Sequence, residues 1–348
     1  MNQPLRIRAA VAVISLAAVA LAGGCSAKSP VSLGPAGSPP AGSTPSTGAS
    51  SSTPSAPSSP SAPPSAGPAA PLTGAAVGAG NGDRVVVVPI LIHDGGRGPA
   101  GVGSADIVGV DYAEQGTVRL EAAFQSQNSD EVGPVTQLRP SDTHLFAQTG
   151  AAIAENGSPS GFLAVAKLSG LSYVGTSTSG VYADHRGEPY ADTKKLRAKA
   201  SKHTVTGPMF EYAGAGVPLS ASNVTTISTV AISVKGHSTM TWHYTPTTKS
   251  WHTTINGTTV TTTNLIIMTT AYTSKSVHAL KRTVTFANPN GSGAARIVAG
   301  PQTVSAKWFK KNLGAALNML GPDQAVPQLW PGRTWIYMIP SGSSVRVS

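Results

Sequence analysis

A single cysteine, Cys25, stands in a chain of 348 residues, so no disulfide can form within one molecule and any folded part must stand on its own core. Charge is scarce too. Only 11% of residues are Asp, Glu, Lys or Arg, against ~25% in ordinary soluble domains, and Pro, Gly, Ser, Thr and Ala fill the gap. Part of the chain is therefore expected to lie outside any packed domain. The formal charge is +10, spread thinly, without the basic stripe that nucleic-acid binding needs. That balance suits contact with anionic lipid or polymer. Specific catalytic motifs are missing as well. The histidines show no H-x-x-x-H spacing and no Cys companion; His243 and His252 are the closest pair with strand placement. Gly291-Ser292-Gly293 has no helix after it, which weakens a nucleotide loop. Asn156-Gly157-Ser158-Pro159 lacks the Gly two residues after Ser that a nucleophile elbow uses, so Ser158 reads as a helix cap. No cofactor and no metal are expected.

The N-terminus is informative. Arg6 and Arg8 precede the apolar run Ala9 to Ala22, which is shorter than the ~20 residues of a membrane span. Small residues follow, then Cys25. This is the layout of a secretory signal, expected over residues 1–24. Leu21-Ala22-Gly23-Gly24 before Cys25 resembles a bacterial lipobox, with its Leu one position further out than in the commonest form. The resemblance implies a diacylglycerol on the Cys25 thiol and a protein held on the extracytoplasmic face of the cell membrane. An uncleaved anchor and a plain secreted protein are the alternatives. Loss of Arg6 and Arg8 with the leader takes the charge from +10 to +8.

Residues 25–82 are almost purely Ser, Pro, Ala, Gly and Thr. Such a stretch cannot bury enough surface to offset chain entropy and is expected to be a disordered tether with a reach of about 40 Å. A first domain is expected over 83–216. Val85 to Val88 and Ile90 to Ile92 read as a buried strand. Ile107, Val108 and Val110, then Val118, Leu120, Ala122 and Phe124, read as a hairpin whose second strand is half-buried. Ser141 and Ser158 are expected to cap short helices, and Thr193 to Ala200 to form a basic, exposed helix. A second domain, 217–348, reads as β. Asn256-Gly257 between two alternating runs is a strong two-residue hairpin signal. Asn312 to Leu320 is a helix candidate weakened by Gly314 and Asn318. The expected class is α+β: an N-terminal α/β-type domain, then a mostly β domain built as a small barrel or sandwich.

The stretch Ser104 to Pro140 carries a family resemblance. Ala105-Asp106-Ile107-Val108, Glu114, Gly116-Thr117 with Arg119, Phe124-Gln125-Ser126-Gln127, Gly133-Pro134-Val135 and Arg139-Pro140 are similar to the N-terminal part of the YerB-like bacterial lipoproteins, a domain of unknown function. Gly157-Ser158-Pro159 also matches, and Asp184, Arg186 and Pro189 match more loosely. Asn264 to Ile267, Gly291-Ser292-Gly293, Lys307-Trp308 and Pro331 to Trp335 resemble the family's C-terminal domain. Thr136 stands where the family usually has a basic residue, and Tyr190-Ala191 where His-Asn is usual. The resemblance implies a fold and a lipoprotein habit, and no activity.

Six residues are candidates for ligand binding. Glu114 and Arg119 lie close across the expected turn, either as a structural cross-strand pair or as a carboxylate tuned by a cation. Arg139 has the planar fork that clamps carboxylate or phosphate, or it caps a carbonyl. Asp184 and Arg186 flank His185 on a polar loop suited to recognition or simply solvated. Asp106 and Glu114 are the acid/base candidates if the protein is a hydrolase or transferase acting on cell-wall material. The leading expectation is a non-enzymatic envelope lipoprotein that binds a cell-wall polymer or an envelope protein. Its binding face would be shallow and aromatic, drawn from Trp242, Trp251, Trp308 and Trp335.

Overall fold

The computed structural model describes residues 69–76, 84–114, 116–200, 207–219 and 221–348. The expected signal, the Cys25 lipidation site and the tether up to residue 68 lie outside the described residues.

The apolar run at the start of the first half forms β1 (Val86–His93), and the organising hairpin forms β2 (Ile107–Tyr112) and β3 (Thr117–Phe124). Then come α1 (Pro140–Phe146), β4 (Ala152–Glu155), α2 (Ser160–Leu168) and β5 (Ser172–Gly175). A small hairpin, β6 (Tyr182–His185) and β7 (Glu188–Ala191), leads to α3 (Thr193–Lys199). The rest is β: β8 (Thr225–Thr226), β9 (Thr229–Ser233), β10 (Met240–Thr245), β11 (Ser250–Ile255), β12 (Thr258–Thr262) and β13 (Asn264–Thr269). These are followed by β14 (Ala271–Val277), β15 (Arg282–Asn288), β16 (Gly291–Ala299), β17 (Gln302–Lys310), β18 (Asn318–Leu320), β19 (Thr334–Ile339) and β20 (Ser344–Val347). The protein is thus mostly β with few helices, and the α-helices among the described residues all precede residue 200.

Strands from both halves of the sequence build one mixed eleven-stranded sheet, in the order β18-β17-β16-β13-β19-β2-β3-β1-β4-β5 with β8 beside β17. The join is β19, parallel to β2 on one side and to β13 on the other. A five-stranded sheet, β12-β11-β10-β9-β20, covers one face. Helices α1 and α2 and the β14-β15 ribbon cover the other. The arrangement is layered, and no closed barrel forms among the described residues.

Burial departs from the sequence reading in four places. Every residue of β3 is buried, where alternation predicted a half-buried strand, because both faces of the sheet are covered. The four tryptophans form no surface: Trp242, Trp251, Trp308 and Trp335 are all fully buried. Trp242 stands edge-on to Trp335 at 5.1 Å and donates from Nε1 to the Tyr337 hydroxyl at 2.7 Å, while Trp251 donates to Gly300 O at 2.8 Å. Each such ring removes ~150–250 Å² from water, roughly 4–6 kcal/mol gross. Residues 69–76, inside the stretch expected to be tether, are docked on the fold. Leu72 is fully buried, its N–H donates to Gln125 Oε1 at 3.2 Å, and its carbonyl accepts from the Tyr212 hydroxyl at 2.6 Å. Gly74 allows this docking: at φ 62° it lies against the Tyr212 ring, where a Cβ would come within 2.3 Å. The basic helix α3 is not all surface either. Arg197 turns inward and donates to Arg84 O at 2.9 Å and Phe124 O at 3.2 Å.

Local signals did better at turns than at caps. Asn256 and Gly257 take φ of 46° and 81° between β11 and β12, the type I′ geometry. Ser141 sits inside α1 rather than at its cap, because Pro140 takes the first helical position and Arg139 the cap. Ser158 precedes α2 by two residues and accepts from Leu138 N at 2.8 Å instead. The helix candidate at 312–320 yields a turn and the short strand β18.

Candidate functional site

The register of the β2–β3 hairpin decides which charges meet. Asp111 pairs with Arg119, and Gly109 with Glu121. Residues two apart share a face, so Asp111, Arg119 and Glu121 all turn toward α1. Gly109 makes room for this: a Cβ there would lie 2.6 Å from Glu121 Oε2 and 2.7 Å from Leu145 Cδ2. Helix α1 supplies Asp142, an acidic residue in its first turn, where the helix N-terminus favours negative charge.

Arg119 is fully buried and its partner is Asp142, not Glu114. Its Nη2 donates to both Asp142 oxygens at 2.9 and 2.8 Å, and its Nη1 to Gln137 O at 3.0 Å. Asp142 Oδ2 also accepts from Arg139 N at 2.5 Å and so closes the start of α1. Glu114 pairs instead with Arg139, whose Nη2 lies 3.3 and 3.2 Å from its two oxygens. Arg139 Nη1 donates to Thr285 O at 2.9 Å, and Arg282 approaches Glu114 at 4.0 Å. The expected Glu114–Arg119 pair is therefore two pairs with exchanged partners. The fork of Arg139 is buried and engaged by Glu114 and Thr285 O.

Charge balance in this layer is uneven. Asp111, Glu121 and Asp142 surround Arg119, and Asp111 also feels Arg139, whose direct ion pair is with Glu114. Asp111 Oδ1 accepts from Ala287 N at 3.1 Å, but its Oδ2 and both Glu121 oxygens lack a hydrogen-bond partner. The Ser141 hydroxyl lies beside both carboxyls without reaching hydrogen-bond geometry to either. Burial, then the carboxylates of Asp142 and Asp111, push the Glu121 carboxyl well above the usual range. Burial also raises Asp111, against the pull of Arg119. Burial works to lower Arg119, yet Asp142, Glu121 and Asp111 hold it above its ordinary value. Arg139 is lowered by burial and by the neighbouring Arg119. For Glu114 burial is the largest influence and acts upward, but Arg139, hydrogen bonds and Arg282 carry it below the usual range. Glu121 is thus a carboxyl whose burial and acidic neighbours favour its protonated form, and it is sealed from solvent.

The remaining candidates stand elsewhere. Asp106 precedes β2 and Glu114 follows it, on the order of 20 Å apart at ~3.3 Å per residue, so one pocket cannot hold both. Asp106 accepts from Gln125 N at 2.5 Å, from Ser126 N at 2.7 Å and from the Ser126 hydroxyl, which ties the hairpin end together. Asp184 and Arg186 lie at the exposed tip of β6–β7. Asp184 Oδ1 accepts from Gly187 N at 2.9 Å, and Arg186 takes φ 62° in the turn. His185 between them reaches Glu131 Oε1 at 2.5 Å. Sequence reasoning missed Asp111 and Asp142. An acidic residue two positions after Pro140 was a helix-start signal for the second; nothing local marked the first.

An open cleft of about 570 Å³ adjoins the Glu114 end of β2, walled by Tyr112, Lys235, His237, Tyr272, Thr285 and Pro340. Arg139 backs this wall through its bond to Thr285 O. The His237 ring meets Tyr112 edge-on at 5.1 Å, and burial lowers its pKa against the opposing pull of Asp94. None of the six candidates lines this cleft. Among the described residues no three His, Cys, Asp or Glu side chains gather as metal ligands.

The fold is a mixed sheet assembled from two sequence halves, with a buried ionic layer under α1. The chain belongs to the family described as "Protein of unknown function (DUF3048)": its N-terminal domain matches residues 72–206 and its C-terminal domain residues 228–336. The fold is similar to that of the crystal structure of YerB protein from Bacillus subtilis, with TM-score 0.64, 18% identity, and coverage of 80% of this chain and 99% of that one. No protein of curated function matches. The family's N-terminal match begins at the docked Leu72.

Proposed function

We propose that this protein is a lipid-anchored, extracytoplasmic binding protein of the cell envelope, recognising a wall polymer or an envelope protein rather than turning over a substrate. The observation that supports the binding reading is how the ionisable candidates are spent. Arg119 is held by Asp142, Arg139 by Glu114 and Thr285, and Asp106 by the hairpin backbone. What faces solvent is a set of clefts with apolar and hydrogen-bonding walls, the usual make-up of a recognition site. The lipobox-like run before Cys25 supports the anchor, and the Ser/Pro-rich residues after it support a spacer. In this reading residues 83–216 make an α+β half and residues 217–348 a β-rich half. Among the described residues no helix is long and apolar enough to cross a membrane.

Co-purification from intact envelopes, with lipid and tether present, tests the binding reading. A partner or polymer retained by wild type is the expected result; none retained at any salt concentration refutes it. Membrane fractionation of Cys25→Ser tests the anchor. Release to the medium or accumulation of precursor is expected, and unchanged mature protein in the detergent phase would sink the lipid assignment.

A further inference from the structure

The hairpin of β10 and β11 comes apart part-way along. Its paired register runs from Thr245–Ser250 to His243–His252 and stops there. At the parting point the Thr253 hydroxyl donates to Thr241 O at 2.7 Å, a side chain standing where a backbone bond would continue the ladder. Beyond it the strands diverge, each still paired on its outer side, β10 with β9 and β11 with β12. Between them opens a cleft of about 460 Å³ that reaches through the five-stranded sheet to the large one, floored by Ile92, Val118 and Leu120. At its rim stand Asp94 and the two imidazoles, with no Lys or Arg in the lining. Asp94 Oδ2 accepts from Ser238 N at 3.3 Å and Ser238 Oγ at 3.0 Å, which fixes the carboxylate there.

We propose that this cleft binds a short extended peptide segment, with an apolar residue on the Ile92–Val118–Leu120 floor and basic residues toward the rim. The proposal deepens the binding reading above and rests on it only in treating the protein as a binder. Three features point to a peptide. The lips are strand edges past the end of their mutual pairing, so they offer backbone groups to a chain laid between them. Side chains of such a chain alternate, one onto the apolar floor and its neighbours outward. The charged rim group is a carboxylate, which selects for cations. No Trp, Tyr or Phe lines the cleft, so it offers no aromatic platform to a sugar ring.

Isothermal titration of the full-length protein in detergent, with acetyl-Lys-Val-Lys-amide as the probe, decides the matter. Saturable binding is expected. Asp94→Asn should weaken it about two- to fivefold, the worth of an exposed ion pair. Thr239→Trp, which plugs the exposed mouth, should weaken it by more than about tenfold, a change of ~1.4 kcal/mol or more. Far-UV circular dichroism checks that both variants fold. Equal binding of acetyl-Glu-Val-Glu-amide, or wild-type binding by a folded Thr239→Trp, overturns the proposal. Binding of chitotriose in place of the peptide, blocked by Thr239→Trp, overturns the peptide class and leaves the binding reading standing. Failure of the Lys-Val-Lys probe in protein that still captures an envelope partner overturns this site alone; failure of both overturns both.

Discussion

The two faces of the large sheet are buried to the same degree and held by opposite means. The face under the five-stranded sheet is apolar and aromatic, with Trp242, Trp251, Trp335 and Tyr337 buried in it and the indole N–H groups of Trp242 and Trp251 given partners. The face under α1 carries three carboxyls and an arginine in full burial, with several polar atoms unpaired. A shared sheet, with side chains alternating along the same strands, thus supports a forgiving core on one side and a demanding one on the other. Apolar packing loses stability in proportion to what is removed. An ionic layer is close to neutral when complete and costly when one member is missing.

The sharpest way to break the comparison is Asp142→Ala. It leaves Arg119 buried without its partner and should cost about 3–5 kcal/mol, read by thermal or denaturant unfolding. Arg119→Leu/Asp142→Leu should recover part of that loss, since Asp111 then lacks its cation and Arg139 N its acceptor. If the single variant melts within ~1 kcal/mol of wild type, the ionic layer does not hold α1 to the sheet. On the other face Trp242→Phe should cost about 2 kcal/mol, from a small cavity and the lost donor to Tyr337, with no dependence on pH. The third test sharpens the contrast by titration. The Glu121 carboxyl is raised in the folded state, so the folded protein holds its proton at a pH where the unfolded chain has lost it. Stability on this account is full below the unfolded-state value and falls as pH rises through the window up to the raised folded-state value. Glu121→Gln removes that slope. As pH rises from the unfolded-state value toward the raised folded-state value it should lose less stability than wild type, whereas Trp242→Phe should track wild type. A Glu121→Gln slope equal to that of wild type would show the carboxyl already ionised. The smallest effect is expected away from both faces: Arg186→Ala at the exposed hairpin tip should change stability by less than ~0.5 kcal/mol.

How much of this was legible depends on the range of the interaction. Asn256-Gly257 fixed a turn because both signals are adjacent in sequence. β1 and the β2–β3 hairpin were legible because a dense apolar run has few other destinations. The partners of Arg119 and Arg139 were not legible, since they depend on where α1 lands on the sheet, and a cation near two acids in sequence gives no preference between them. Tryptophan was misread for a related reason. An amphipathic ring suits a binding face and a core equally, and the covering sheet that decides between them, β9 to β12 with β20, comes from several separate runs. Leu72 was hidden by its company: one apolar residue among Pro, Ala and Gly looks like spacer until its backbone is seen bonded to Gln125 and Tyr212. The split in the β10–β11 hairpin left no trace in the alternation of either strand.

The place of β19 has a consequence for how the molecule comes into being. Residues 334–339 are the middle rung between β2 and β13, and β20 after them pairs with β9. While the chain is being made, the early hairpin has one flank bare, and so has the later block of strands. Neither is closed until residues 334–339 are in place. Pairings of such long sequence separation are slow to form, and uncovered strand flanks adhere to one another. A truncation before Thr334 is expected to leave the flanks of β2 and β13 uncovered.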